Sequence, residues 1–397
     1  MAQYSSFSLA PEEKLVRYAN KNQQLYIGVP KEKSFQEKRI SLTPESVTIL
    51  TNNGHKVCVE TKAGAGAHFT DNDYSEAGAQ IVYHAHEVFK ADIIVKSAPP
   101  STDEIPYYTP RHVLISPIHL PTLTPKLIKS LSDKQITSLA FEYIKDESNA
   151  FPIVRSMSEI AGNQSIAIAS ELLSNINNGV GVMFGGISGV PPTKVVILGS
   201  GTVAEFAARA AIGMGANVMV FDNSIYKLKR LQNILGARLF TSVIYPGILL
   251  RELEHADVVI GAVHSQTART PIMVTDEMVS NMKPGSVIID VSIDQGGCFD
   301  TSEVTTHDRP VFKKYDVVHY CVPNIAARVA RTASYAISSV ITPILLHASK
   351  FLGIENLIKN DPISRHGVVM YKGAITNKHI AERFELRYTE LDLLLGY

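Results

Sequence analysis

The sequence predicts an α/β protein of two doubly wound domains, the second inserted into the first, which is thereby discontinuous. Three observations carry this reading. Short apolar runs alternate with helical patterns in two separate series, a Gly-rich turn stands directly after the first strand of the second series, and the C-terminal stretch is too small to hold a core of its own.

The first series starts at Leu25. LYIGVP reads as a strand, TPESVTILTNNG as a helix and HKVCVE as the next strand, with DIIVKS, VLISPI and TSLAFEYI following at intervals. This is the rhythm of βαβ units around a mostly parallel sheet. Thr43 before Pro44 and Glu45 is a strong helix start, because a Thr hydroxyl caps free amides and proline fits the first turn. Asn53 and Gly54 end that helix. The second series begins at Lys194 with KVVILG, followed by a helix from about Thr202 to Gly213, NVMVFD, a helix around Tyr226 to Leu235, RLFTS, DVVIGAV and SVIIDVS.

Between the series lie SMSEIAG and the Gly/Pro-rich GVMFGGISGVPPT, so a domain junction is expected near residues 150 to 190. From about Thr332 the chain opens a long apolar helix that must pack on something earlier. Folding back on the first series gives a first domain of residues 1–151 and 332–397 and a second of 152–331. The apolar run Tyr335 to Leu346 is short, carries Ser338, Ser339 and Thr342 and is interrupted by Pro343, which argues for a buried helix over a membrane span. The first 24 residues lack an apolar stretch long enough for a signal peptide and read as a surface extension.

Composition narrows the class. At 397 residues the chain exceeds what one core usually serves, and 45% hydrophobic with 19% charged residues is globular. The 38 basic and 38 acidic residues balance, so no global field attracts nucleic acid or an anionic membrane, and a small-molecule partner is favoured. Cys58, Cys298 and Cys321 form no CxxC pair, which argues against a disulfide framework and a cysteine-rich zinc site and fits a reducing cytoplasm. The histidines show no ligand spacing, so no metal is expected.

The chemistry begins at KVVILGSGTVAEFAARAAIGMGANVMVFD. Gly199 allows a tight turn, Gly201 lets backbone approach a pyrophosphate, and the free amides opening the next helix face its charge. Ala204 replaces a third glycine and is still small. Asp222 ends the next strand, twenty-three residues after Gly199, where a carboxylate accepts hydrogen bonds from both ribose hydroxyls and repels a 2′-phosphate. The pattern is Rossmann-like and specifies NAD over NADP; a plain glycine turn and an ordinary strand-end carboxylate are the alternatives.

Several segments together resemble the alanine dehydrogenase family, which includes the first domain of nicotinamide nucleotide transhydrogenase. They are IGVPKEKSFQEKRISLTPESV, NNGHKVCVETKAGAGAHFTDNDYSEAGAQIV, MSEIAG, the nucleotide turn, MKPGSVIIDVSIDQGGCFDTSEVTTHDRPVF and VVHYCVPN. The resemblance implies reversible oxidative deamination of L-alanine to pyruvate and ammonia with NAD, in a cytoplasmic homohexamer. It assigns Arg39 to the substrate carboxylate, which a planar guanidinium suits. It also makes His119 the proton-transfer group, for which an imidazole is apt near neutral pH. Asp294 then orients water and faces developing positive charge, and Asn324 helps hold substrate. Residue by residue the alternatives are a surface arginine, a satisfied strand-end histidine and two turn-forming side chains.

The cofactor set comprises Ser158, Gly199, Ser200, Gly201, Thr202, Val203, Asp222, Val263 and His264. The loop Val263 to Ala268 borders the nicotinamide ribose or is a plain connector, and Met157 and Ser158 approach from the junction or serve packing and capping. One departure stands out. The family carries KVKEP where this chain has Lys96-Ser97-Ala98-Pro99-Pro100, so Ala98 occupies the place of a substrate-contacting lysine. Side chains two apart on a strand share a face, so Lys96 is a candidate replacement displaced by roughly 7 Å; the alternatives are a structural charge or a site without an equivalent amine. The run Ile325 to Arg331 also departs from the family. Two rivals stay open: a transhydrogenase-like hydride-transfer component, and an NAD-binding regulator without turnover.

Overall fold

The computed structural model describes residues 22–34, 36–120, 123–236, 239–265 and 269–396. Most of the N-terminal extension, residues 1–21, and residues 266–268 of the Val263 loop lie outside the described residues.

The first sheet has eight strands in the spatial order Ala374–Ile375, Val368–Tyr371, Thr137–Ala140, Val113–Ser116, Ile93–Val95, Tyr26–Val29, Lys56–Glu60 and Gln80–Val82. The six from residues 26 to 140 are parallel; Val368–Tyr371 and Ala374–Ile375 add an antiparallel edge. The central strands are apolar on both faces because helices cover both, so Val113–Ser116 and Ile93–Val95 are buried throughout. The helix Pro44–Asn52 starts where Thr43 Oγ1 accepts from Ser46 N at 3.4 Å and ends before Gly54 at φ +83°.

The second sheet has seven strands: Val311–Lys314, Val317–Tyr320, Val287–Asp290, Val258–Gly261, Lys194–Leu198, Asn217–Phe221 and Phe240–Ser242, parallel except for Val311–Lys314. Within their parallel parts both sheets share one order, each running third, second, first, fourth, fifth, sixth strand of its own series. Each therefore has a switch point beside its first strand, where a crevice opens at the carboxyl ends.

The stretch between the series is more ordered than its composition suggests. SMSEIAG lies inside one helix, Pro152–Leu173, whose Met157 packs on the first core while Ala161 belongs to the second. Gly162 makes the crossing tight, since a Cβ there would stand 2.5 Å from the Val203 carbonyl and 2.9 Å from Ala207 N. The Gly/Pro run after it forms a small hairpin in which Ile187 bridges Val190.

The long apolar helix is Ala330–Lys350, and Ala333, Ile337, Ile341, Leu345 and Ala348 are buried in its face. Ile337, Ile341, Leu345 and Ala348 belong to the first core. Its serines explain how it docks. Ser334 Oγ accepts from Ile40 N at 2.9 Å and Ser338 Oγ from Thr43 N at 3.0 Å, so two loop amides that burial would leave unpaired are satisfied. The residues Ile325–Lys350 are long and apolar enough to cross a membrane by length and composition alone. The helix continues through Pro343, which is exposed, rather than stopping there. A ring on the open face removes one backbone bond without disturbing the packed side.

Candidate active site

At the switch point of the second sheet, Gly199 has φ +103° and a Cβ there would sit 2.4 Å from the Ala262 carbonyl, so this turn requires glycine twice over. Gly201 has φ −80°, opens the helix Thr202–Gly213 without a side-chain cap, and a Cβ on it would meet nothing within 4 Å. Uncapped amides at a helix start beside open space fit the pyrophosphate of a dinucleotide. Thr202 and Val203 are half-buried in the first turn, and Ala204 is 0% exposed against the sheet. Asp222 is already oriented: its Oδ2 accepts from Ser200 Oγ at 2.6 Å and its Oδ1 from Ser224 N at 2.7 Å. The remaining lone pairs fit a ribose diol.

The rim of this crevice is braced by side chains. Val263 N donates to Ser292 Oγ at 3.0 Å, Gln295 pairs with Ser265 through both backbone groups, and His264 is exposed between them. Ser158 Oγ donates back to Val154 O on its own helix at 2.8 Å. Its hydroxyl is already bonded within its own helix, and this leaves cofactor contact untouched as an expectation.

The charged groups gather where the first sheet's loops meet the second sheet. Glu37 Oε1 accepts from Arg39 Nε at 2.8 Å and Glu37 Oε2 from Arg39 Nη2 at 2.6 Å, while Arg39 Nη1 faces Met157 Sδ at 3.4 Å. From the other side Asn324, in the left-handed region at φ +56°, donates Nδ2 to Glu37 Oε2 at 3.2 Å and its backbone N–H to Asp294 Oδ1 at 3.2 Å. Burial alone would pull the Arg39 pKa down, but Glu37 beside it outweighs that and raises it. For Asp294 burial dominates and raises the carboxyl, opposed by the Asn324 amide and by the nearby His119 and Arg39. Asp294, His119 and Arg39 thus sit within electrostatic reach of one another, although 255 positions separate the first and last in sequence.

His119 is held by a residue that its own segment does not contain. Its backbone has φ +49°, and its N–H donates to Glu142 Oε1 at 2.5 Å, while Ile118 N is 3.0 and 3.1 Å from the two Glu142 oxygens. The carboxylate at the end of the Thr137–Ala140 strand therefore fixes the turn that carries the imidazole.

Lys96 is where sequence expectation and structure part. Its side chain is 2% exposed, and Nζ lies 2.8 Å from both Glu32 Oε2 and Glu104 Oε1. Glu32 Oε1 also accepts from Ser97 N at 2.6 Å and Ala98 N at 3.1 Å. Burial pulls the ammonium pKa down, and Glu32 and Glu104 overcome it, so the lysine stays charged as the centre of a buried acid–base–acid cluster. Two carboxylates take up the amine that strand geometry had directed toward the pocket.

Sequence reasoning missed Glu32, Glu37, Glu104 and Glu142. Only Glu37 left a trace, lying two residues before Arg39 in a loop where such a pair can chelate. Burial pushes the Cys298 thiol up and Cys321 up to about 12, so both remain neutral packing groups. Among the described residues no cluster of His, Cys, Asp and Glu is arranged to hold a metal ion.

Comparison with known proteins identifies the family. Residues 28–161 match the family description "Alanine dehydrogenase/PNT, N-terminal domain" and residues 165–378 its C-terminal domain. Alanine dehydrogenase 2 of Staphylococcus aureus is 39% identical over 367 residues, covering 92% of this chain and 98% of the relative. A solved L-alanine dehydrogenase superposes with a TM-score of 0.85 at 35% identity, covering 90% of this chain and 99% of that one. A transhydrogenase from Sinorhizobium meliloti superposes with a TM-score of 0.76 at 25% identity, covering 89% and 99%. The chain belongs to the alanine dehydrogenase/PNT family.

Proposed function

We propose that the protein catalyses reversible, NAD-dependent oxidative deamination of L-alanine to pyruvate and ammonia. The observation that carries this reading is the meeting of Arg39, His119 and Asp294 within electrostatic reach of one another. When bound, NAD supplies the acceptor for the hydride that leaves the α-carbon. Gly199, Ser200, Gly201, Thr202 and Val203 hold its pyrophosphate, Asp222 its ribose, and Val263, His264 and Ser158 line the nicotinamide end.

Arg39 anchors the substrate carboxylate through the guanidinium edge that Glu37 leaves open, and Asn324 closes the pocket from the other wall. Asp294, half-buried and within electrostatic reach of the imidazole and guanidinium, stabilises positive charge as the amine becomes an imine and positions the attacking water. His119 moves protons between that water and the departing nitrogen. Lys96, a substrate-contact candidate by sequence, serves this site by holding Glu32 in place rather than by reaching the substrate.

The same reading takes residues 1–151 and 332–397 as the substrate domain and 152–331 as the NAD domain. Pairing of Val368–Tyr371 with Thr137–Ala140 supports it. Family resemblance supports a cytoplasmic homohexamer, and balanced charge supports small-molecule partners over nucleic acid or membrane. NADH absorbance on mixing purified protein, NAD and L-alanine tests the activity. Steady NADH production is the expected result; tight NAD binding with no turnover on any amino acid would replace the enzyme with a regulator, a reading that the uncharged Ala98 favours.

A further inference from the structure

The carboxylate-binding corner contains an acid that the proposed reaction does not use. Lys96 is locked between Glu32 and Glu104, and Ala98 carries no charge, so recognition of a small carboxylate falls on Arg39. Its guanidinium sits on a long flexible stem, yet Glu37 holds it on two donors, Nε at 2.8 Å and Nη2 at 2.6 Å, and takes the Arg39 backbone N–H as well at 2.9 Å, while Nη1 rests on Met157 Sδ at 3.4 Å. The side chains are 11% and 5% exposed, so the pairing is made largely out of water. The same Glu37 oxygen that takes Nη2 takes Asn324 Nδ2 from the opposite wall.

We infer that Glu37 is a positioning residue: it locks the Nε–Nη2 edge of the Arg39 guanidinium, leaves Nη1, whose partner is only the weakly accepting Met157 Sδ, to take the substrate carboxylate, and through Asn324 sets that geometry when the two walls meet. This deepens the dehydrogenase reading and rests on it for the identity of the carboxylate. A buried acid beside the anchoring cation has two opposed effects. Its negative charge weakens the pull on an anion, while its two hydrogen bonds to the guanidinium remove the rotamer freedom that a lone arginine would lose on binding. Glu37 is placed so that orientation wins, since bidentate capture depends on the plane of the guanidinium and a misplaced plane forfeits it.

The test measures pyruvate binding to the protein–NADH complex without ammonia, by NADH fluorescence, so that no turnover is needed. Glu37→Gln keeps the shape and is expected to weaken pyruvate binding about 10- to 100-fold, with the NADH dissociation constant and melting temperature near those of the parent protein. Arg39→Lys removes the planar fork, and Glu37→Gln added to it should cause little further loss, because Glu37 acts through the guanidinium. Unchanged or tighter pyruvate binding in Glu37→Gln, or losses that multiply in the double variant, would overturn the assignment. A parent protein that binds pyruvate in this way and turns over no amino acid would refute the dehydrogenase reading and leave the role of Glu37 standing.

Discussion

The two sheets have the same strand order and opposite ways of making a site at the switch point. After the strand Lys194–Leu198 the chain turns at once through Gly199-Ser200-Gly201 and offers backbone amides. After Tyr26–Val29 it runs on through a charged loop and offers side chains, Glu32, Glu37 and Arg39, against Lys96 at the end of the neighbouring Ile93–Val95. A diphosphate is bulky and always anionic, so fixed backbone dipoles serve it. A small zwitterion needs a directional, charged grip, and charges near a buried crevice must first be paired with one another. The price of that pairing is visible in four glutamates brought to the substrate side, none of which binds the carboxylate itself.

The largest expected effect lies on the charged side. Lys96→Met leaves Glu32 and Glu104 facing each other without a cation, and breaking such a buried cluster should cost about 3–5 kcal/mol. Urea unfolding measures it; a loss below 1 kcal/mol would mean the cluster is solvated.

On the backbone side two alanines separate strain from binding. Gly199→Ala has both φ +103° and a 2.4 Å approach to the Ala262 carbonyl against it and should destabilise by about 1–3 kcal/mol. Gly201→Ala meets no protein atom within 4 Å and should leave the melting temperature unmoved. Both should weaken NADH binding tenfold or more, because the added methyl at residue 201 fills the space assigned to pyrophosphate. Equal affinity in Gly201→Ala would move the dinucleotide elsewhere.

The smallest effect is a pH dependence. Burial raises the folded-state pKa of Asp294 above its unfolded value, so the folded protein holds that proton more tightly. Its contribution to stability is therefore fully present below the unfolded value near 3.8 and is lost as pH rises through the folded one. Asp294→Asn should then unfold at a higher temperature than the parent at pH 8, with the advantage shrinking toward pH 4, while deamination falls. A constant gap across that range would show that the carboxyl is not perturbed.

Legibility in the sequence followed the same division. The strand, Gly199-Ser200-Gly201, helix, strand and Asp222 read directly because they follow in the fixed order of one βαβ unit, which brings Ser200 onto Asp222 across 22 residues. Arg39, His119, Asp294 and Asn324 were found by resemblance, and nothing local to them says that they converge. Lys96 was misdirected for a physical reason: strand periodicity gives the face of a side chain, whereas its final contact was decided by Glu32, which lies 64 residues away. Glu142 likewise braces His119 from 23 residues further on.

Alternation of apolar runs, cap residues and glycines by themselves determined that this chain makes two mostly parallel sheets with a dinucleotide turn on the second, because those preferences act within a few residues. Which charges neutralise one another, which amides the serines of Ala330–Lys350 satisfy, and that Arg39 gives Nε and Nη2 to Glu37 and Nη1 to Met157 were decided only in three dimensions. Electrostatic pairing and desolvation depend on distance in space, and one-dimensional order does not contain that distance.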